Sequence, residues 1–167
     1  MNLILCGMMG CGKTTVGREI AQRSGKLCCD TDEKIVEKHG KIADIFACYG
    51  EARFREIETE TVQELVQKDN LVIATGGGLV LKTENVTLLR KKGKIVYLRA
   101  KKETLLDRLQ KDTERPLLQS GQSLSERLTE LLKVRAPIYE GVADCVVDVD
   151  GKTPEEIAAE IIALTEK

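Results

Sequence analysis

Residues 2–15 read NLILCGMMGCGKTT. The first five are an apolar, branched run of strand type. Gly7 to Thr14 then match G-x-x-x-x-G-K-[ST] in full. Glycines let successive backbone N–H groups turn inward around an anion, and a helix opening directly behind the loop aims its positive end at the same point. Residues 14–24 supply that helical pattern, with Val16, Ile20 and Ala21 at helical spacing. Strand, phosphate-cradling loop and helix, in that order, make the first unit of an α/β fold. In this unit Gly10, Cys11, Gly12 and Thr15 belong to the cradle. Lys13 reaches the β- and γ-phosphates of a nucleotide such as ATP, and the Thr14 hydroxyl can ligate Mg²⁺. Cys11 stands inside the loop, where oxidation of its thiol is a route to lost activity.

Working outward, four more apolar runs follow at 26–29 (KLCC), 71–75 (LVIAT), 94–98 (KIVYL) and 144–149 (DCVVDV). Being uninterrupted and rich in branched residues or cysteine, they predict strands buried on both faces. Helical stretches lie between them. Residues 50–68 carry Phe54, Ile57, Thr61 and Leu65 at threes and fours. Residues 123–134 open with SLSE, a capping-box pattern, and Thr153-Pro154-Glu155-Glu156 opens a last helix with a cap, a proline and two acids. Alternating strands and helices predict a parallel sheet with helices on both faces, and ligands bind beyond the carboxyl ends of such strands.

The bulk properties narrow the function classes. A chain of 167 residues fits one domain, 1–167, and its net charge of −1 gives no general basic surface for nucleic acid. With no Trp, two Phe and three Tyr, it has no stacking platform for single strands. No apolar run approaches the roughly 20 residues that span a bilayer, and the N-terminal run is too short for a signal peptide, so a cytoplasmic protein is expected. None of the six cysteines forms a CxxC pair, and the single His39 precedes a glycine where a helix should end. Cys6, Cys28, Cys29 and Cys145 are expected to be small buried hydrophobes rather than metal ligands.

Many proteins with this loop carry an acid at the end of a second strand to help hold Mg²⁺. LVIAT has none; it runs into Gly76-Gly77-Gly78. Acids stand instead after KLCC, as Asp30-Thr31-Asp32. Two apart on an extended segment, both carboxylates would face the strand-end crevice, one serving the metal and one receiving a hydroxyl proton. Asp30 and Thr31 also fit a turn that caps the next helix. The three glycines admit positive φ and close approach of a ligand to the backbone, with their N–H groups available as donors.

Three arginines stand beside features that fix their position. Arg55 and Glu58 share a helical face, so the acid can orient the arginine. Arg115-Pro116-Leu117 lies in KDTERPLLQSGQ (111–122), a polar stretch of lid type. Arg135 precedes Pro137, where a helix should end or kink. A bidentate guanidinium suits a substrate carboxylate, and a lid arginine suits a moving phosphoryl group.

GMMGCGKTT, DTD, GEARFREIE, TGGG, RPLL and RAPIYE, in this order across nearly the whole chain, resemble the shikimate kinase family. The resemblance implies ATP-dependent phosphorylation of the shikimate 3-hydroxyl, in the biosynthesis of chorismate and the aromatic amino acids. It implies a three-layer P-loop kinase fold with five parallel strands in the order 2-3-1-4-5, a substrate-binding segment at 32–60 and the lid. Lys13, Asp32 and Arg115 would be catalytic, and Thr14 with Asp30 would serve Mg²⁺. Asp32 would bind the reacting hydroxyl. Arg55 and Arg135 would grip the carboxylate, beside Glu58, Gly76, Gly77, Gly78, Pro116 and Leu117, between apolar walls from Phe46 and Phe54. Arg108 would lie flat on adenine, and the loop from Asp148 to Thr153 and Pro154 would complete that pocket. Arg53 is larger than the residue many relatives place there; facing the pocket, it would alter substrate affinity. Other readings remain: a kinase for another small hydroxy acid such as gluconate, or for a nucleoside monophosphate, or a nucleotide-binding regulator. The arginines with the triple glycine favour shikimate, and the DTD pair and lid arginine disfavour a regulator. A monomer acting on small molecules is expected.

Overall fold

The computed structural model of the chain describes residues 1–111 and 123–167. Five strands form one parallel sheet: β1 (Asn2–Cys6), β2 (Leu27–Asp30), β3 (Leu71–Ala74), β4 (Gly93–Arg99) and β5 (Cys145–Asp148). Their order is β2-β3-β1-β4-β5, the order the resemblance implies. Ile4 pairs with Ile73 on one side and Ile95 on the other, which centres β1 in the sheet. Every residue of β1 and β3 is buried. The edge strands depart from the expected two-faced burial. Leu27 of β2 is exposed and the rest of β2 is half-buried, while β5 has one buried residue. An edge strand has a neighbour on one side only.

The helices are α1 (Lys13–Ser24), α2 (Thr31–His39), α3 (Ile42–Leu65), α4 (Thr83–Arg90), α5 (Lys102–Gln110), α6 (Leu124–Val142) and α7 (Pro154–Thr165). A right-handed crossover travelling one way along the sheet covers one face, and one travelling the other way covers the opposite face. From β1, α1 leads outward to β2, and α7 packs against α1. The connections through α3, α4 and α6 travel the other way and cover the second face. No helix among the described residues is long and apolar enough to cross a membrane.

Local sequence accounts for the helix limits. Thr153 and Glu156 make the reciprocal capping box that opens α7. Ser123 caps α6 through the Glu126 N–H. α3 begins at Ile42, eight residues before the helix expected at 50, and Gly50 interrupts it with φ 81° and ψ 171°. α6 runs through Pro137 to Val142 rather than stopping there. The fully buried Tyr139 anchors the turn beyond the proline.

The main core lies on both faces of the sheet. A second, small core of Ile35, Ile45, Phe54 and Ile57 holds α2 against α3. Cys6 is buried, and burial pushes its thiol up to about 12. Cys28, Cys29 and Cys145 are only half-buried, and Cys48 is exposed.

Candidate active site

The loop between β1 and α1 turns on two glycines in the left-handed region, Gly10 (φ 84°) and Gly12 (φ 96°). At Gly10 a Cβ would also lie 3.1 Å from the Leu109 side chain. Lys13 folds over the loop, donating to the carbonyls of Gly7 at 2.6 Å and Met8 at 3.2 Å. Arg108 reaches the same loop from α5, its Nη1 donating to the Gly10 carbonyl at 3.1 Å. The Cys11 side chain is buried, with Sγ 3.8 Å from Lys13 Nζ. Burial of this kind limits access of an oxidant to the thiol.

A cleft of about 430 Å³ opens over this loop. Lys13, Thr14 and Thr15 line it on one side, Asp30, Asp32 and Gly76 on another, and Arg108 with Pro154 on a third. Thr153 is the cap of α7 and does not line the cleft, whereas Lys152 does. Lys152, inside the loop from Asp148 to Pro154 expected there, arrives from the turn after β5 and pairs with Glu160 at 2.8 Å. Arg115, Pro116 and Leu117, with nearly all of the expected lid, lie outside the described residues.

Asp30 does two things at once. Its Oδ1 caps α2 by accepting from the N–H groups of Asp32 (2.8 Å) and Glu33 (3.1 Å). Its Oδ2 accepts from the Thr14 hydroxyl. The helix-cap reading and the metal-site reading are therefore compatible. Asp30 ends β2 while Asp32 stands in the first turn of α2, so they do not share an extended segment. Thr14 and Asp30 place two hard oxygen donors side by side. No group of three His, Cys, Asp or Glu gathers as a metal cage among the described residues. This donor set fits Mg²⁺, which keeps water and phosphate ligands and needs few from protein.

The glycine turn after β3 joins the two halves of the site. A Cβ at Gly76 would lie 2.7 Å from Asp32 Oδ1 and 3.2 Å from Glu58 Oε2. At Gly77 it would lie 3.2 Å from Arg135 Nη1, and at Gly78 2.7 Å from Arg55 Nη2. The turn is thus the floor on which both carboxylates and both arginines rest. The Gly76 N–H is not available to a ligand, as it donates to Thr31 Oγ1 at 2.9 Å.

Arg55 is held by Glu58 at 2.6 Å and Glu51 at 3.3 Å, with its Cζ 5.3 Å from the centre of the Phe54 ring. The Phe46 and Phe54 rings lie 4.9 Å apart, tilted by 40°. Burial raises the Glu58 carboxyl above its usual range, and Asp32 pushes the same way; Arg55 and Arg135 oppose them. Arg53 turns away, pairing with Glu56 and Glu60 at 3.0 Å each. It lines a separate hollow with Lys38, His39 and Tyr49. Tyr139 was missed by sequence reasoning. It lies one helical turn beyond Arg135, and its hydroxyl donates to the Gly77 carbonyl. The spacing to Arg135 was the only available signal.

A glycine loop on a helix N-terminus, at the end of a central strand in a β2-β3-β1-β4-β5 parallel sheet, defines a P-loop kinase fold. Residues 9–166 match the family model described as Shikimate kinase. The chain is 46% identical over 162 residues to the shikimate kinase of Thermodesulfovibrio yellowstonii, covering 96% of this chain and 92% of that one. It is 43% identical to that of Caldicellulosiruptor bescii, covering 98% and 94%. Among solved structures, the shikimate kinase of Acinetobacter baumannii in complex with shikimate superposes with a TM-score of 0.92 at 39% identity, over 98% of this chain and 91% of that one. The enzyme from Aquifex aeolicus gives 0.84 at 36% identity, over 98% and 95%. The chain belongs to the shikimate kinase family.

Proposed function

We propose that the chain transfers the γ-phosphoryl group of ATP to the 3-hydroxyl of shikimate, giving shikimate 3-phosphate and ADP. The observation that carries this reading is the glycine turn. It adjoins Asp32 at Gly76, Arg135 at Gly77 and Arg55 at Gly78, while Asp32, Gly76 and Gly77 also line the phosphate-loop cleft. A carboxylate-bearing alcohol gripped by the arginines would present its hydroxyl at Asp32, facing the loop.

In this reading Lys13 and the loop amides of Gly10, Cys11, Gly12, Thr14 and Thr15 hold the ATP phosphates. Arg108, Lys152 and Pro154 flank the base. Thr14 and Asp30 would hold Mg²⁺, which supplies charge neutralisation at the phosphates. Asp32 orients the hydroxyl and accepts its proton as the oxygen bonds to the γ-phosphorus and ADP departs. Phosphoryl transfer asks mainly for positioning and charge stabilisation, so orientation is the larger task of Asp32. Glu58 sets Arg55; Phe46 and Phe54 wall the ring; Arg115, Pro116 and Leu117 close over both substrates from the lid at 111–122. The single domain 1–167, its substrate segment 32–60 and a cytoplasmic monomer complete the reading, with a place in chorismate and aromatic amino acid biosynthesis.

A coupled assay of ADP release tests it. ATP with shikimate should give turnover, while gluconate, AMP or no acceptor should give background. Equal rates with gluconate or AMP would sink the assignment.

A further inference from the structure

We propose that Thr31 and Tyr139 are positioning residues that clamp the Gly76–Gly78 turn through their hydroxyls and thereby set the acceptor pocket. The inference deepens, and rests on, the shikimate kinase reading. Neither hydroxyl lines the cleft, and both residues are fully buried. Thr31 Oγ1 accepts the Gly76 N–H at 2.9 Å, tying the turn to the start of α2. The Tyr139 hydroxyl donates to the Gly77 carbonyl, tying the next residue to α6. Two distant elements thus grip consecutive glycines.

Three glycines in a row have the greatest backbone freedom a chain can have, so this turn has no conformation of its own to rely on. The two hydroxyls supply it. A peptide unit is planar and trans, so the Gly77 carbonyl and the Gly78 N–H point in opposite directions. Holding the carbonyl on Tyr139 therefore aims the Gly78 N–H away from Tyr139. Gly78 is the residue against which the Arg55 guanidinium packs, and Gly77 faces Arg135. Gly76 in turn packs against both Asp32 and Glu58. Rotation of this turn would carry the acceptor carboxylate and both arginines out of register together. The arginine that faces Gly77 also faces the Tyr139 hydroxyl. Its charge counters the burial that raises that phenol.

Steady-state kinetics of the full chain with ATP and shikimate test the clamp. Thr31→Val keeps the shape and removes the acceptor; Thr31→Ser keeps the acceptor; Tyr139→Phe removes the donor. Loss of one ordinary hydrogen bond corresponds to roughly two- to tenfold in affinity. The KM for shikimate should rise about threefold or more in Thr31→Val and in Tyr139→Phe, with the ATP KM within about twofold of the parent. Thr31→Ser should stay close to the parent in both. A merely structural role would lower kcat through the active fraction and leave both KM values in place. An unchanged shikimate KM in either clamp variant, a parallel rise in the ATP KM, or no rescue by serine would overturn the proposal. If Thr31→Val does not fold, Tyr139→Phe decides alone. Failure of the functional reading looks different: the unsubstituted chain would release no ADP on adding shikimate, and the clamp would fall with it.

Discussion

Gly78 has no room for a side chain. A Cβ there would lie 2.7 Å from Arg55 Nη2 and 2.8 Å from Cζ. Its φ of −98° is ordinary for any residue, so the cost of Gly78→Ala is steric and falls on the guanidinium. The shikimate KM should rise about tenfold with the ATP KM little changed, since Arg55 is outside the phosphate cleft. Lys13→Met should cut turnover by about 10²-fold or more, as expected for removal of a charge aimed at the transferring group, and circular dichroism should show the fold intact. Glu58 gives a pH signature. Its carboxyl lies above the usual 4.5 because burial disfavours the charge. It therefore takes up a proton on acidification before an ordinary glutamate does, and loosens its hold on Arg55. The acid limb of kcat/KM for shikimate should have a midpoint above 4.5, and Glu58→Gln should move that limb to lower pH. The Arg55–Glu58 pairing was legible from the three-residue spacing. The burial of Glu58 was not, because Asp32 and Gly76, beside which it lies, are distant in sequence.

At the scale of elements, the caps were readable and the interruptions were not. Thr153 with Glu156 opens α7 as the residues dictate. The first part of α3 carries no cap, since Lys41 offers no side-chain bond there. That absence hid the helix. Gly50 holds φ 81° and ψ 171°, a conformation essentially confined to glycine, and nothing lies within 4 Å of a Cβ placed on it. Gly50→Ala should therefore cost about 1–3 kcal/mol through backbone strain alone. Chemical denaturation should show it as a lower midpoint with an unchanged slope. An unchanged midpoint would mean the interruption relaxes into a continuous helix. Proline at 137 failed as a stop signal for a tertiary reason: Tyr139 is locked into the core and its hydroxyl into the glycine turn, and these contacts hold the helix past the lost hydrogen bond.

At the scale of the molecule, the two cores differ in size. β1, β3 and β4 are clasped within the main one, while α2 and the start of α3 rest on four buried residues. Local opening is cheapest where few apolar contacts must break. Amide exchange should be fastest across α2 and residues 42–49, and slowest in β1 and β3. Addition of ATP and shikimate should slow the fast set. Equal protection of both regions would contradict the division.

The parallel α/β plan, the phosphate loop and its lysine, the caps at Ser123 and Thr153, and the ordered family motifs were determined by sequence alone. The loop and the caps depend on residues within a few positions of one another, and the plan and the family motifs on the order of such local patterns along the chain, so local propensity and hydrogen bonding carry the information. Tertiary structure decided the pairings that make the site. Thr14 meets Asp30, Glu58 is buried beside Asp32, Arg53 turns outward, and Thr31 and Tyr139 grip the glycine turn. These contacts join strand ends and helices far apart in the chain. Their geometry exists only once the sheet has brought the carboxyl ends of β1, β2 and β3 to one edge.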